Sequence, residues 1–284
     1  MTTAATGANV KLQTIGAQRL AVGLLLAIVG IGSIASTWSF TLIVAIVAFG
    51  SLRELTALFD RKGQSLEFWV AAVAILAYLV LATVGLLHRY EGVLLATTVV
   101  AALAAGLIHA RSGYIVRCAL TLLGVLYVGK LLSYLIAIRA LPQIGAAATV
   151  LAVLIIACTD IFAMFVGVRF GRHQLTKISP RKTVEGAIGG LVAGTVVGAS
   201  VGAFPPLGFA WWEGALVAAA TSIAAQAGDL VESALKRDAR VKDAGTAIAG
   251  HGGILDRFDS YFFGGVAYYG MLHMTGHILP PFAP

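Results

Sequence analysis

The chain is 284 residues long with a formal net charge of +7; 59% of its residues are hydrophobic and only 12% are charged. Soluble domains run near ~25% charged, so this composition excludes a soluble enzyme, a disordered segment and a disulfide-rich secreted module. The apolar residues fall in blocks long enough to cross a hydrocarbon core of ~30 Å, which predicts an all-α, polytopic integral membrane protein.

Nine candidate spans follow in chain order, at roughly 20–35, 38–53, 68–87, 92–109, 115–138, 146–168, 187–204, 215–230 and 259–279. The first two are separated only by a Trp-containing turn and read as a tight helical hairpin. Lys11 and Arg19 precede the first run. They superficially fit a cleaved leader, but a spanning helix with basic residues on its inner side explains them equally well. With the N-terminus cytoplasmic, seventeen of the 20 Lys and Arg residues fall on the inner side, leaving Arg89 and Arg139 outside and Lys130 within a span. The positive-inside bias therefore predicts N-terminus in and C-terminus out, and it accounts for the basic charge without nucleic acid. Two regions are expected: N-terminal transmembrane helices over 1–110, and a catalytic transmembrane region over 111–284 with cytoplasmic motif loops at 169–186 and 229–259.

Within the spans, few polar features stand out. Lys130 is either a counter-ion for a buried carboxylate or a snorkelling side chain. Asp160 lies in the sixth span, where an unpaired carboxylate costs ~2.5–3.5 kcal/mol, so it is a functional candidate. Gly186, Gly190, Gly194, Gly198 and Gly202 recur every four residues and share one helix face. Such a stripe serves close helix packing, within the chain or between copies, or else a substrate passage. Cys118 and Cys158 lie in apolar stretches and report no redox compartment. His88, His109, His273 and His277 show no spacing that builds a common metal site.

Two polar segments break the apolar pattern. The first, 169–186, holds five cations and one carboxylate. Its core of Ser179, Pro180, Arg181, Lys182 and Thr183 runs into a span whose first turn carries Glu185. Hydroxyls, adjacent cations and a helix N-terminus are the parts of a phosphate site. The second, 228–259, interleaves Lys236, Arg237, Arg240, Lys242 and Arg257 with Asp229, Glu232, Asp238, Asp243, Asp256 and Asp259. Topology requires cations only, so the carboxylates need another explanation. Asp229 ends one span and Asp256 precedes the next, which allows the two to meet at the membrane surface. Paired carboxylates beside Lys and Arg suit phosphate bridged by Mg²⁺, and Gly252-Gly253 lets backbone amides approach an anion. Ion pairs capping helix ends are the structural alternative.

These segments carry a resemblance. Ser233-x-Leu235-Lys236-Arg237, then Lys242-Asp243, then His251-Gly252-Gly253-x-x-Asp256-Arg257-x-Asp259 closely resembles the signature of the phosphatidate cytidylyltransferases, or CDP-diacylglycerol synthases. Ser179-Pro180-Arg181-Lys182-Thr183-x-Glu185-Gly186 resembles the second hallmark of that family. The likeness is sharpest over about 158–265, and residues 1–110 match only as apolar spans. It implies an all-helical, homodimeric enzyme of the bacterial inner membrane, its site facing the cytoplasm, that joins CTP and phosphatidate to give CDP-diacylglycerol and pyrophosphate. It implies Mg²⁺ held by Asp229 and Asp256, and leaves room for a second, monovalent cation. Lys236, Arg237, Lys242 and Arg257 would bind phosphates, with Asp243 and Asp259 shaping the site. The remaining substrate-binding candidates are Asp160, Ser179, Arg181, Lys182, Thr183, Glu185, Glu232, Ser233, His251, Gly252 and Gly253. Two positions depart from the pattern: Ala249 stands where a turn-forming residue is usual, and Met164 where an aromatic is common.

The reaction so implied is in-line attack by the lipid phosphate on the α-phosphorus of CTP. Bringing two polyanions together is the main barrier, and cations lower it by neutralisation and positioning. Two other readings remain: a CTP-dependent polyprenol or lipid kinase, with attack at the γ-phosphorus, and a transporter using the glycine stripe and Asp160.

Overall fold

A computed structural model describes residues 28–109, 113–245 and 252–278. Its helices are α1 (Thr37–Asp60), α2 (Phe68–Thr83), α3 (Leu87–His109), α4 (Tyr114–Gly124), a π-helical segment (Val125–Lys130), α5 (Leu131–Arg139), α6 (Gly145–Phe170), α7 (Val184–Val201), α8 (Trp211–Asp238) and α9 (Leu255–Met274). Among the described residues there is no β-strand; Gln174 and Thr183 form an isolated bridge. Six segments are long and apolar enough to cross a membrane: Thr37–Asp60, Leu87–Ile108, Tyr114–Arg139, Gly145–Phe170, Val184–Val201 and Trp211–Asp238. The protein is thus an all-helical integral membrane protein. Half of the expected span at 20–35 lies outside the described residues and its described part is helical over 28–33; Lys11, Arg19 and Arg111 also lie outside them.

Two helices run further than charge-based boundaries suggest. The second span was expected to stop at Arg53, yet α1 continues to Asp60. Leu52, Leu55, Leu58 and Phe59 extend its buried stripe at helical spacing, so the core holds the helix together past the first charges. Likewise α8 continues to Asp238, so residues 229–238 are helix and not the first part of a loop. The spacing of Asp229, Glu232, Ser233 and Lys236 explains why: i, i+3 and i+4 neighbours share one face, and Lys236 pairs with Glu232 at 2.6 Å. The expected motif loop at 229–259 shrinks accordingly to the connection between α8 and α9.

Contacts sort the helix ends into two groups. At one end Lys62 pairs with Asp238, Arg117 with Glu67 at 3.2 Å, and Lys182 with Asp229 at 2.5 Å. At the other end Arg139 Nε donates to Ile34 O at 2.7 Å, and His277 lies 3.5 Å from Glu213. Both polar motif segments belong to the first end. The apolar core is continuous across the expected boundary at residue 110, with Leu52 and Ile75 in the same cluster as Val128, Ile136, Leu255 and Phe262. Lys130, at the end of the π-helical segment, pairs with Glu91 of α3 at 2.5 Å and is not the counter-ion of Asp160. A cavity of about 320 Å³ lined by His88, Glu91, Tyr134, Tyr269 and His273 holds none of the motif residues.

The glycine stripe packs within the chain. Gly186, Gly190, Gly194 and Gly198 are buried on α7, between α6 and α8. A Cβ on Gly190 would lie 2.5 Å from Thr159 O, and one on Gly194 2.5 Å from Thr159 Oγ1. Beside Gly194, the Thr159 and Ser222 hydroxyls bond at 2.8 Å, joining α6 to α8. The stripe leaves no room for a passage along α7. Replacing Gly190 by Leu should therefore destabilise the protein by about 1–3 kcal/mol, the usual cost of overpacking. Val192, on the same helix, is 55% exposed, and Val192→Leu should be neutral. Thermal unfolding in detergent checks the pair.

Candidate active site

The first segment is a loop held in shape by its own residues. Leu175 N donates to Lys182 O at 2.9 Å, Lys182 N to Ser179 O at 3.0 Å, and Val184 N to His173 O at 2.9 Å. Thr183 caps α7, its Oγ1 accepting from Gly186 N at 3.1 Å. Glu185 clamps the loop: its Oε2 accepts from Arg172 N at 3.0 Å and His173 N at 3.2 Å, and its Oε1 meets His173 Nδ1 at 2.6 Å. Two expected substrate ligands, Thr183 and Glu185, thus spend their oxygens on the loop. Arg181 stays exposed and Ser179 half-buried, while Lys182 reaches across to Asp229.

The second segment supplies the carboxylates. Asp229 and Glu232 lie on α8 and Asp259 on the first turns of α9, and an oxygen from each falls within 4.8 Å of the others. Three carboxylates this close repel one another in a low-dielectric setting unless cations lie near. Lys182 meets Asp229 from one side. Lys236 lies 2.6 Å from both Glu232 and Asp256 on the other. Glu232 is fully buried and Lys236 nearly so, which fixes both in place.

Asp229, expected to pair with Asp256, lies in a group with Glu232 and Asp259, and Asp256 adjoins that group through Lys236. Asp256 Oδ1 accepts from Lys236 Nζ, and its Oδ2 accepts from Gly253 N at 2.8 Å and Ala244 N at 3.0 Å. Both oxygens are therefore engaged in holding Lys236 and the α8–α9 connection. The second carboxylate beside Asp229 is Asp259, one helical turn further along, with Glu232 as the third. Hard oxygen donors of this kind suit Mg²⁺, which takes few protein ligands and keeps waters.

The other expected residues surround this cluster. Asp160 Oδ1 accepts from Ser260 Oγ at 3.2 Å, which brings α6 to the same point. Met164 is 66% exposed with Phe165 and Val168, facing the surroundings of the bundle. Ser233 is buried on α8, Gly252 has φ +86° and Gly253 is buried. Arg237, Lys242, Asp243 and Arg257 are exposed around the rim. Arg237 Nη1 donates to Val241 O at 3.1 Å and so bends the connection back. His251 and Ala249 lie outside the described residues.

Sequence reasoning missed Glu54. This α1 residue is buried, its Oε1 accepting from Ile254 N at 2.9 Å and its Oε2 from Leu255 N at 2.8 Å. A carboxylate at the end of an apolar run was the available signal, and it read as the edge of a span. Ser260, the partner of Asp160, was missed because nothing in its spacing marks it.

Residues 17–275 match the cytidylyltransferase family. A phosphatidate cytidylyltransferase of Synechocystis sp. is 45% identical over 116 residues, covering 39% of this chain and 39% of the relative. That of Bacillus subtilis is 44% identical over 113 residues, 39% of this chain and 42% of the relative. The chloroplastic phosphatidate cytidylyltransferase 4 of Arabidopsis thaliana is 41% identical over 117 residues, 41% of this chain and 30% of the relative. The chain thus spans about two fifths or less of the length of these relatives, but the family match runs through nearly all of its helices: the chain belongs to the cytidylyltransferase family.

Proposed function

We propose that the protein is a phosphatidate cytidylyltransferase, converting CTP and phosphatidate to CDP-diacylglycerol and pyrophosphate. The observation that carries this reading is the cluster of Asp229, Glu232 and Asp259 beside Lys182 and Lys236, at one end of membrane-spanning helices. A lipid phosphate and a water-soluble nucleotide can meet only at such a boundary. The names of the relatives agree with it.

In this reading a phosphatidate oxygen attacks the α-phosphorus of CTP. A new P–O bond forms as the bond to the β-phosphate oxygen breaks, and pyrophosphate leaves with the electron pair. Phosphatidate is anionic near neutral pH, so no strong general base is needed. Mg²⁺ held by Asp229 and Asp259, with Glu232 beside them, would neutralise and position the phosphates. Asp256 contributes by holding Lys236 toward the cluster. Lys182 and Lys236 present fixed positive charge. The exposed Arg181, Arg237, Lys242 and Arg257 would bind the outer phosphates of CTP and the lipid headgroup. Asp160, half-buried and bonded to Ser260, would line the site from α6.

The finer topology belongs to the same reading: nine spans, N-terminus cytoplasmic, C-terminus outside, and a homodimer in the bacterial inner membrane. The basic residues at the motif end support the orientation through the positive-inside bias. Single cysteines at Lys177 and Gln143 give the check in cysteine-free protein. The first should react from the cytoplasmic side only, and the second from the outside only.

The activity test uses purified protein, α-³²P-CTP, phosphatidate and Mg²⁺, with label followed into the lipid phase. Label should enter lipid only with Mg²⁺, and Asp229→Asn and Asp259→Asn should each lower the rate about 100-fold or more, the scale of removing one preorganised charge. Lipid labelled from γ-³²P-CTP but not from α-³²P-CTP would make the protein a kinase instead.

A further inference from the structure

We propose that Glu54 is a positioning residue of the active site, through which helix α1 sets the placement of Asp256 and Asp259. The inference rests on the site described above and extends it into a region that carries none of the motifs. Glu54 is only 8% exposed, yet neither oxygen of its carboxylate is idle. They accept from two successive amides, Ile254 N and Leu255 N, where α9 begins. A carboxylate at a helix N-terminus satisfies amides that have no partner within the helix and meets the positive end of its dipole.

The surroundings are built around that carboxylate. A Cβ on Gly253 would lie 2.5 Å from Glu54 Oε2, and a Cβ on Gly245 would overlap Oε1. Both arms of the α8–α9 connection therefore close on Glu54 with no space for a side chain. Ile254 presses on α1 as well, since a Cβ on Gly50 would overlap its Cδ1. Asp256 Oδ2 in turn takes the amides of Gly253 and Ala244. The connection is thus gripped between two carboxylates, one from α1 and one from α9 itself.

The geometric consequence is specific. Leu255 is the residue before Asp256, and Asp259 is one turn beyond it. Where Glu54 pins the Leu255 amide decides where Asp256 meets Lys236 and where Asp259 meets Asp229. A buried charge is costly to keep. A neutral hydroxyl could cap the helix, but it could not take both amides at once with two oxygens in this bidentate arrangement.

The test compares the wild-type chain with Glu54→Gln, Glu54→Ala and Gly245→Ala, using Mn²⁺ as a paramagnetic probe without nucleotide, and amide hydrogen exchange in the same samples. Glu54→Gln keeps one acceptor but turns a donor toward the second amide. It should weaken Mn²⁺ binding at least tenfold and speed exchange at Ile254 and Leu255. Glu54→Ala should do more, and Gly245→Ala should act in the same direction without touching a charge. Exchange in α6 and α7, which do not contact Glu54, should stay unchanged. Equal Mn²⁺ affinity in all four proteins with unchanged exchange at 254–255 would overturn the proposal, as would faster exchange spread evenly through α6 and α7, which marks a merely structural role. A wild-type chain that binds no Mn²⁺ would count against the site reading itself. The exchange at 254–255 would then still decide whether Glu54 holds the connection.

Discussion

Lys236 and Lys182 make the rest of this arrangement possible. Four carboxylates, from Asp229, Glu232, Asp256 and Asp259, converge at the end of an apolar helical bundle, where their mutual repulsion is poorly screened. Lys236 answers Glu232 and Asp256, and Lys182 answers Asp229. The two lysines come from different segments, one inside α8 and one from the loop before α7. Their ion pairs therefore join the two motif segments while keeping the excess of negative charge that a divalent cation would satisfy. Removing Lys236 would leave the fully buried Glu232 without its cation, and breaking a buried pair ordinarily costs about 3–5 kcal/mol.

That convergence depends on how closely the backbones approach. The α7 glycines let α6 and α8 pack on either side of it with little between them but main chain, and the Thr159–Ser222 bond ties the outer two directly. In lipid, where apolar contact alone does not drive helices together, small residues and a buried hydroxyl pair supply the contact. Asp160 on α6 and Asp229 on α8 reach the same end of the bundle because α7 holds their helices in register. The glycine stripe is thus part of the site's foundation although it touches no charged group.

Glu54 extends the foundation to the N-terminal helices. The expected division at residue 110 separates motif-bearing from motif-free sequence, but the apolar core and the Glu54 amide bonds both cross it. Lys62 adds a second tie, to Asp238 at the end of α8. Through these contacts α1 and the segment after it hold the α8–α9 connection from which Asp256 and Asp259 follow.

Much of this was legible in the sequence because it is written in local patterns. Apolar blocks demand helices in lipid, a four-residue glycine period defines a face, and carboxylates at i, i+3 share one side of α8. Those rules yielded the all-helical membrane class, the polar end of the bundle and the charged residues that gather in the candidate site. The partners of each charge were not legible, because pairing depends on which helices adjoin. Lys130 met Glu91 and not Asp160; Asp256 turned to Lys236 and two amides, leaving Asp259 and Glu232 beside Asp229; Thr183 and Glu185 served their own loop. Glu54 lies some two hundred residues from the amides it holds. What the sequence by itself determined was the set of charged groups and the face of each helix that carries them. Only the tertiary structure decided which of them meet, since a distance of a few ångströms across helices has no counterpart in spacing along the chain.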